Sequence, residues 1–549
     1  MPSEAVVIPV VVILICLVPF LGKAFNMDDP VFIWCAKQIH KEPVDFYGFE
    51  ANWYGTKMSM AEIHHNPPAA CYYVALAGLL LGWSEVALHA AFLVPAVAVA
   101  MGTYYLAREV RLQPILAVVA SVAAVLTPAF LVSGTTVMSD MITLASYVWA
   151  VVFWVRGMNT NNHLSLLFST VLIVVCSLTR YVGISLLGLL FVYSLMRKRG
   201  PGIWVLFLLI PAVILTAYDF ATYVFYGKGL LWDAAVYSTK VAWIKEGSRI
   251  FSKGLIGLVF MGGGVVTALF YAPLLWSRRT LFEGVILTTL LIFILIYFGK
   301  IGEFSLRNTE GIRWSLLIQL SLMAASGASI IALAWIDFWK SRDADSLLLG
   351  LWVIGIFIFA GIVNWTINVR GMLLLVPPAA ILLMRQIARR GNGHKTVIWR
   401  IAWPLVPAAI IAVSVTWADY TWARTARSAA AAIHKGLSQS GFTSAVWFQG
   451  HWGFQYYMEV NGYQSFDFKN SKPRPKDIVI VPSNNTNTRK AWLEGKAKPT
   501  KTVLQFYPCR WLATMNVPLG AGFYTHMAGP LPYVIGPVCP EKYSFYVFE

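Results

Sequence analysis

The chain has 549 residues, of which 58% are hydrophobic and only 13% are charged, about half the charged share of a soluble globular domain. This composition excludes a soluble enzyme and defines a polytopic membrane protein, mainly α-helical. The formal charge of +17 does not point to nucleic acid as a partner. Much of the basic excess lies in short clusters between apolar runs, at Arg108/Arg111, Arg197-Lys198-Arg199, Arg278-Arg279, Lys340/Arg342 and 385–400, which is the pattern of a topology signal.

Windows of about 20 apolar residues predict spans at 6–21, 86–107, 114–132, 136–155, 164–178, 182–196, 203–225, 255–276, 281–298, 314–335, 347–367, 372–387 and 397–418, about thirteen in all. The first is expected to be retained, because residues 1–4 lack a basic n-region and Gly22-Lys23-Ala24-Phe25 is not a small-x-small cleavage site. The apolar stretch 67–83 is left out. Its Pro67-Pro68 start, its Tyr72-Tyr73 pair and its short length fit a helix lying in or dipping into the interface. With that segment excluded, the N-terminus and the basic clusters face the cytoplasm, and the C-terminal part lies outside.

The expected outer face then collects the unusual polar residues: Asp28-Asp29, His64-His65-Asn66, Asp140, Arg180, Glu303, Arg307, Arg313 and Arg370. Carboxylates at a bilayer edge are costly to desolvate and so are candidates for chemistry, although a solvated helix end also explains Asp28-Asp29 taken alone. The first outer loop runs over 25–84, and a second, 226–253, is rich in Trp, Tyr and Lys, as befits a segment lying against headgroups.

The spanning part is read as 1–419 and a soluble α/β domain as 420–549, with strands at 445–448 and 478–481, a helix at 453–460, and Cys509 and Cys539 able to pair in an oxidising compartment. The aromatic-rich turn Gly450-His451-Trp452-Gly453 is more readily a core feature than a sugar contact. No internal repeat and no zinc, P-loop or dinucleotide spacing is present.

Several short motifs, in order, resemble the membrane-embedded GT-C glycosyltransferases, in the branch of the protein O-mannosyltransferases and the lipid A aminoarabinose transferases. They are Asp28-Asp29 after the first span, His65-Asn66-Pro67-Pro68 with Tyr72-Tyr73, Ser84-Glu85, Thr127-Pro128 with Val137-Met138-Ser139-Asp140, Leu178-Thr179-Arg180-Tyr181, and Val369-Arg370-Gly371-Met372 leading to Pro377-Pro378. The resemblance implies an inverting transfer of a sugar from a polyprenyl-phosphate donor to an acceptor hydroxyl on a glycan, a lipid or a protein, at the outer face of a bacterial-type inner membrane. It places the general base on Asp28. Relatives often carry Glu next, where this chain has Asp29, so the acceptor-positioning role of Asp29 is open.

Asp140 falls on the family's second acidic position. It is a candidate for orienting the acceptor or for sharing a divalent metal with Asp28, and a helix cap explains it equally well. Arg180 and Arg370 are the phosphate candidates, because a guanidinium offers bidentate donors; a snorkelling arginine is the plainer reading of Arg180, and Gly371 stands where relatives have Tyr. His64 and His65 are both candidates for the donor phosphate, with His65 also a metal candidate; being adjacent, they cannot share one face of a regular helix, so a plain interfacial histidine is the better reading of at least one. Arg313 and Arg307 are weaker phosphate candidates. The alternatives are a lipid-linked-sugar transporter or flippase, which should show related halves and charges inside its spans, and a non-catalytic scaffold on the same fold.

Overall fold

The computed structural model describes residues 6–237, 250–390 and 398–549. The Trp-, Tyr- and Lys-rich segment expected at 226–253 and the basic stretch at 385–400 therefore lie partly outside the described residues. Among the described residues, nine helices are long and apolar enough to cross a bilayer, or ten if the bent pair Ile250–Gly264 and Thr267–Leu275 is one crossing. Each of the thirteen predicted windows coincides with helix, but those at 6–21, 114–132 and 164–178 fall on shorter helices: Val7–Phe20, Pro114–Val125 and His163–Thr179. The window at 114–132 is split because Pro128 starts a new helix, Pro128–Ser133, capped by Thr127; the residue before a proline is driven out of helical geometry.

The window at 255–276 is also broken, with its two helices inclined by 87°. Just before the break the backbone runs unusually close to a neighbour. A Cβ on Gly262 would lie 1.9 Å from the carbonyl oxygen of Met323, and one on Gly327 would lie 2.2 Å from that of Leu258. Only glycine allows this approach of Ile250–Gly264 to Trp314–Ser341.

Ion pairs identify the two ends of the bundle. At one end Arg385 and Arg389 reach Asp337 at 3.0 and 2.7 Å, and Arg156 meets Glu109 at 2.8 Å. At the other end lie Asp28, Asp140, Arg180 and Arg370. The 22-residue segment Val369–Arg390 connects the ends over about 30 Å, the thickness of a hydrocarbon core. The 13-residue helix Ala69–Leu81 is about 20 Å long and packs beside Asp29–Lys41, where His40 Nε2 lies 2.9 Å from the Ala75 carbonyl oxygen.

Helix Leu405–Gln439 runs unbroken past residue 419 into the C-terminal part. There a five-stranded mixed sheet has the spatial order Ala497–Phe506, Glu541–Phe548, Ile478–Pro482, Val446–Phe448, Gln464–Ser465. Val446–Phe448 is parallel to both of its neighbours, and the helix Trp452–Val460 makes the crossover to Gln464–Ser465, the connection that a parallel pair requires. Cys509 is buried and Cys539 exposed, each a free thiol.

A buried polar knot ties the first span to this C-terminal part. Lys23 Nζ lies 2.6 Å from Asp419 Oδ2 and donates to Thr135 Oγ1 at 3.1 Å. Thr514 and Tyr524 donate their hydroxyls to Asp419, each at 2.9 Å. Lys23 and Asp419 are 1% and 0% exposed, and a pair so deeply buried holds only when its remaining valences are met.

Candidate active site

The segment leaving the first span makes a tight turn in which Met27 has φ +49, a strained value for a long side chain. The turn ends at Asp28, which precedes the helix Asp29–Lys41, and Pro30 sits in its first turn, where no N–H is needed. The two carboxylates diverge from here. Asp29 is 1% exposed; its Oδ2 accepts from Asn26 N at 2.9 Å and its Oδ1 from Val137 N at 2.8 Å. Asp28 has a side chain 40% exposed, with Oδ2 at 2.7 Å from Arg370 Nη1.

Arg370 also places Nε 2.8 Å from Asp140 Oδ2, and Arg180 Nη1 lies 2.5 Å from Asp140 Oδ1. Asp140 is the first residue of Asp140–Thr160, so its carboxylate sits at a helix N-terminus, which favours negative charge. Two guanidinium groups thus converge on one buried carboxylate, with a second carboxylate at the open edge. Arg180, 24% exposed, has further N–H donors, since a guanidinium carries five.

The position of Arg370 depends on residues far away in sequence. Asn368 Oδ1 accepts from Gly371 N at 2.6 Å, Val369 N donates to Phe523 O at 3.0 Å, and Ile367 N donates to His526 Nδ1 at 3.1 Å. A Cβ on Gly371 would stand 3.2 Å from both Ala360 Cβ and Asn368 Oδ1, which explains the small residue at this site. Arg180 directly precedes Tyr181 and Val182, which with Tyr147, Gly188, Trp352 and Phe359 line an apolar cavity of about 620 Å³.

The remaining candidates are engaged elsewhere. His64 is buried against Phe32 and Tyr47, with Nε2 3.9 Å from Cys71 Sγ. His65 stacks on Tyr237 at 4.1 Å beside Asp233, and burial pushes its imidazole below the usual range. Arg313 donates to the Pro518 carbonyl at 2.7 Å, and Arg307 to that of Ile296 at 3.0 Å. None of them has a described hydrogen bond or ion pair with Asp28, Asp140, Arg180 or Arg370. The metal candidates Asp28, Asp140 and His65 are not gathered around one point. Arg370 stands between the two carboxylates, His65 lies with Tyr237, and among the described residues no three His, Cys, Asp or Glu side chains are grouped to hold a metal ion. This donor set does not fit a resident cation.

The turn at Gly450-His451-Trp452-Gly453 reaches this site from the C-terminal part. Trp452 has φ +62, and a Cβ on Gly453 would lie 2.2 Å from the Phe25 carbonyl oxygen. Phe25 N donates to Tyr457 OH at 2.8 Å, so the turn and its helix clamp the approach to Asp28. Burial pushes the His451 imidazole down to about 3, partly opposed by the negative charge of Asp28; its Nδ1 accepts from Asn487 Nδ2 at 3.2 Å and its Nε2 lies 3.0 Å from Thr486 Oγ1. A histidine depressed on folding contributes stability that is present above its unfolded value near 6.5 and is lost as pH falls toward the folded value. Acidifying from pH 7.5 to pH 5 is expected to cost about 2 kcal/mol from this residue. The drop in thermal midpoint between these pH values should therefore shrink in His451→Gln; an equal drop contradicts the assignment.

The fold is that of a polytopic membrane protein, with the architecture of solved GT-C glycosyltransferases. No family model and no curated protein matches the chain. Similar solved structures include ArnT from Cupriavidus metallidurans bound to undecaprenyl phosphate, at 13% identity and a TM-score of 0.53, with 88% of this chain and 93% of that one covered. The apo oligosaccharyltransferase of Archaeoglobus fulgidus matches at 14% identity and a TM-score of 0.50, over 85% of this chain and 64% of that one, so this chain spans only part of that protein's length.

Proposed function

We propose that the protein transfers a sugar from a polyprenyl-phosphate donor to an acceptor hydroxyl, with inversion, at the extracytoplasmic face of a bacterial-type inner membrane. The observation that carries this reading is the convergence of Asp28, Arg180 and Arg370 beside an apolar cavity. The undecaprenyl phosphate held by the Cupriavidus protein supports a donor of the same chemistry.

In this reading the acceptor oxygen attacks the anomeric carbon as the bond from that carbon to the phosphate oxygen breaks, and Asp28 takes the acceptor's proton. Arg180 and Arg370 stabilise the charge that grows on the departing phosphate. Asp140 holds both guanidiniums in place, so it is a positioning residue, and Asp29 pins the Asp28 turn to Val137. The part of the prenyl chain nearest the phosphate occupies the 620 Å³ cavity.

Gly188 tests this last assignment, because it lines the cavity and a Cβ there meets open space. Gly188→Phe is expected to raise KM for a long-chain polyprenyl-phosphate sugar by about tenfold while leaving a short-chain donor unaffected. An unchanged KM for the long-chain donor contradicts it.

A further inference from the structure

One polar cleft plays no part in this chemistry. It encloses about 480 Å³ between the helix Asp29–Lys41, the hairpin of Glu50–Asn52 and Lys57–Ser59, and the helix Trp452–Val460, within the size range of small-ligand sites. Three lysines, Lys37, Lys41 and Lys57, face three carboxylates, Glu50, Glu459 and Asp467, so the cleft suits no strongly charged ligand.

Beneath its floor two carbonyl oxygens lack partners. Asn52 Oδ1 and Gln455 Oε1 are sealed from water with no hydrogen bond among the described residues. Gln455 is otherwise held, its Nε2 donating to the Asn52 backbone oxygen at 3.0 Å and to Glu459 Oε1 at 2.8 Å. Unpaired buried acceptors are costly and call for an explanation, and both belong to residues that line the cleft. Burial pushes Glu459 up to about 7, so near neutral pH its carboxyl both donates and accepts. The half-buried Trp34 adds an aromatic wall; it packs edge-on to Trp53 at 5.8 Å, and Trp53 lies 4.6 Å from His451, the ring that feels the charge of Asp28.

A ligand without net charge, rich in groups that donate and accept, beside an aromatic wall, is a saccharide. We propose that this cleft binds a saccharide unit, as the remote subsite of an oligosaccharide acceptor whose terminal hydroxyl reaches Asp28. At 1.5 Å per residue, Trp34 to Lys41 lie about 8 to 18 Å along the helix from Asp29, a distance that a few linked sugars span. The identity of the sugar as acceptor rests on the glycosyl-transfer reading; its binding in the cleft does not. A peptide is the competing occupant, since Ser465 of the edge strand Gln464–Ser465 borders the cleft, but two residues give an added strand little ladder to pair with.

The test uses the full-length protein in detergent with a panel of diazirine-bearing trisaccharides built from hexose, N-acetylhexosamine or pentose, and a diazirine-bearing hexapeptide as the control. At least one trisaccharide should label peptides covering 34–57 or 452–467. Labelling should fall at least fivefold in Gln455→Leu and in the rim variant Lys41→Gln, and should persist in Asp28→Asn, which separates binding from transfer. Labelling by the hexapeptide alone, no labelling of those segments, or labelling unchanged in both cleft variants would overturn the proposal.

Discussion

Asp28→Asn is expected to lower kcat/KM for sugar transfer by about 10²–10⁴-fold, the contribution of a general base, with the thermal midpoint unchanged. The amide keeps the shape of the side chain and retains an oxygen that can accept from Arg370 Nη1, now 2.7 Å from Asp28 Oδ2, so the turn should hold. What it loses is the ability to take the acceptor's proton. The neighbouring substitution makes the contrast. In Asp29→Asn the amide nitrogen must face either Asn26 N or Val137 N, both donors to the native carboxylate, so stability falls before chemistry is addressed. Measuring transfer and thermal midpoint for both variants separates the two carboxylates. Full activity in Asp28→Asn would remove it as the base.

The second large effect is expected at a distance from the chemistry. Lys23→Met leaves Asp419 buried without its cation, and breaking a buried pair by removing one partner costs about 3–5 kcal/mol. Lys23 joins the end of the first span to Asp419, and Thr514 and Tyr524 complete the knot from the C-terminal part, so the loss should loosen the region that clamps the Asp28 turn. The double variant Lys23→Met/Asp419→Leu removes both charges and should be less destabilised than the sum of its single variants. Thermal unfolding in detergent reads this coupling; additive single effects, or a Lys23→Met midpoint equal to that of the parent, would contradict the role given to the knot.

Much of the architecture was legible because apolar length and basic clusters are local properties. The thirteen windows coincide with helix, and the strands expected at 445–448 and 478–481 match Val446–Phe448 and Ile478–Pro482. The helix breaks were less legible. The 87° bend after Gly264 depends on backbone packing against Trp314–Ser341, which no apolar window senses.

The same division holds at the site. Asp28, Asp140, Arg180 and Arg370 were singled out by motif order, and the structure brings them together although Asp28 and Arg370 are 342 residues apart. Which face each side chain presents was not legible. Asp29 turns inward because Val137 N waits there, and His65 turns to Tyr237. Lys23 drew no reading of its own, because its partner Asp419, 396 residues away, carries no local signal of pairing. His451 sat in a turn that read as core; the positive φ of Trp452, invisible in sequence, marks it as a strained contact with the Asp28 segment.

If the paired arginines hold a lipid phosphate, mass spectrometry of the lipid that co-purifies with the protein will find it. Polyprenyl phosphate, bare or carrying a sugar, should accompany the parent protein and be depleted in the folded double variant Arg180→Gln/Arg370→Gln. Absence of polyprenyl phosphate from the parent, or equal amounts in the variant, would remove Arg180 and Arg370 as the phosphate site.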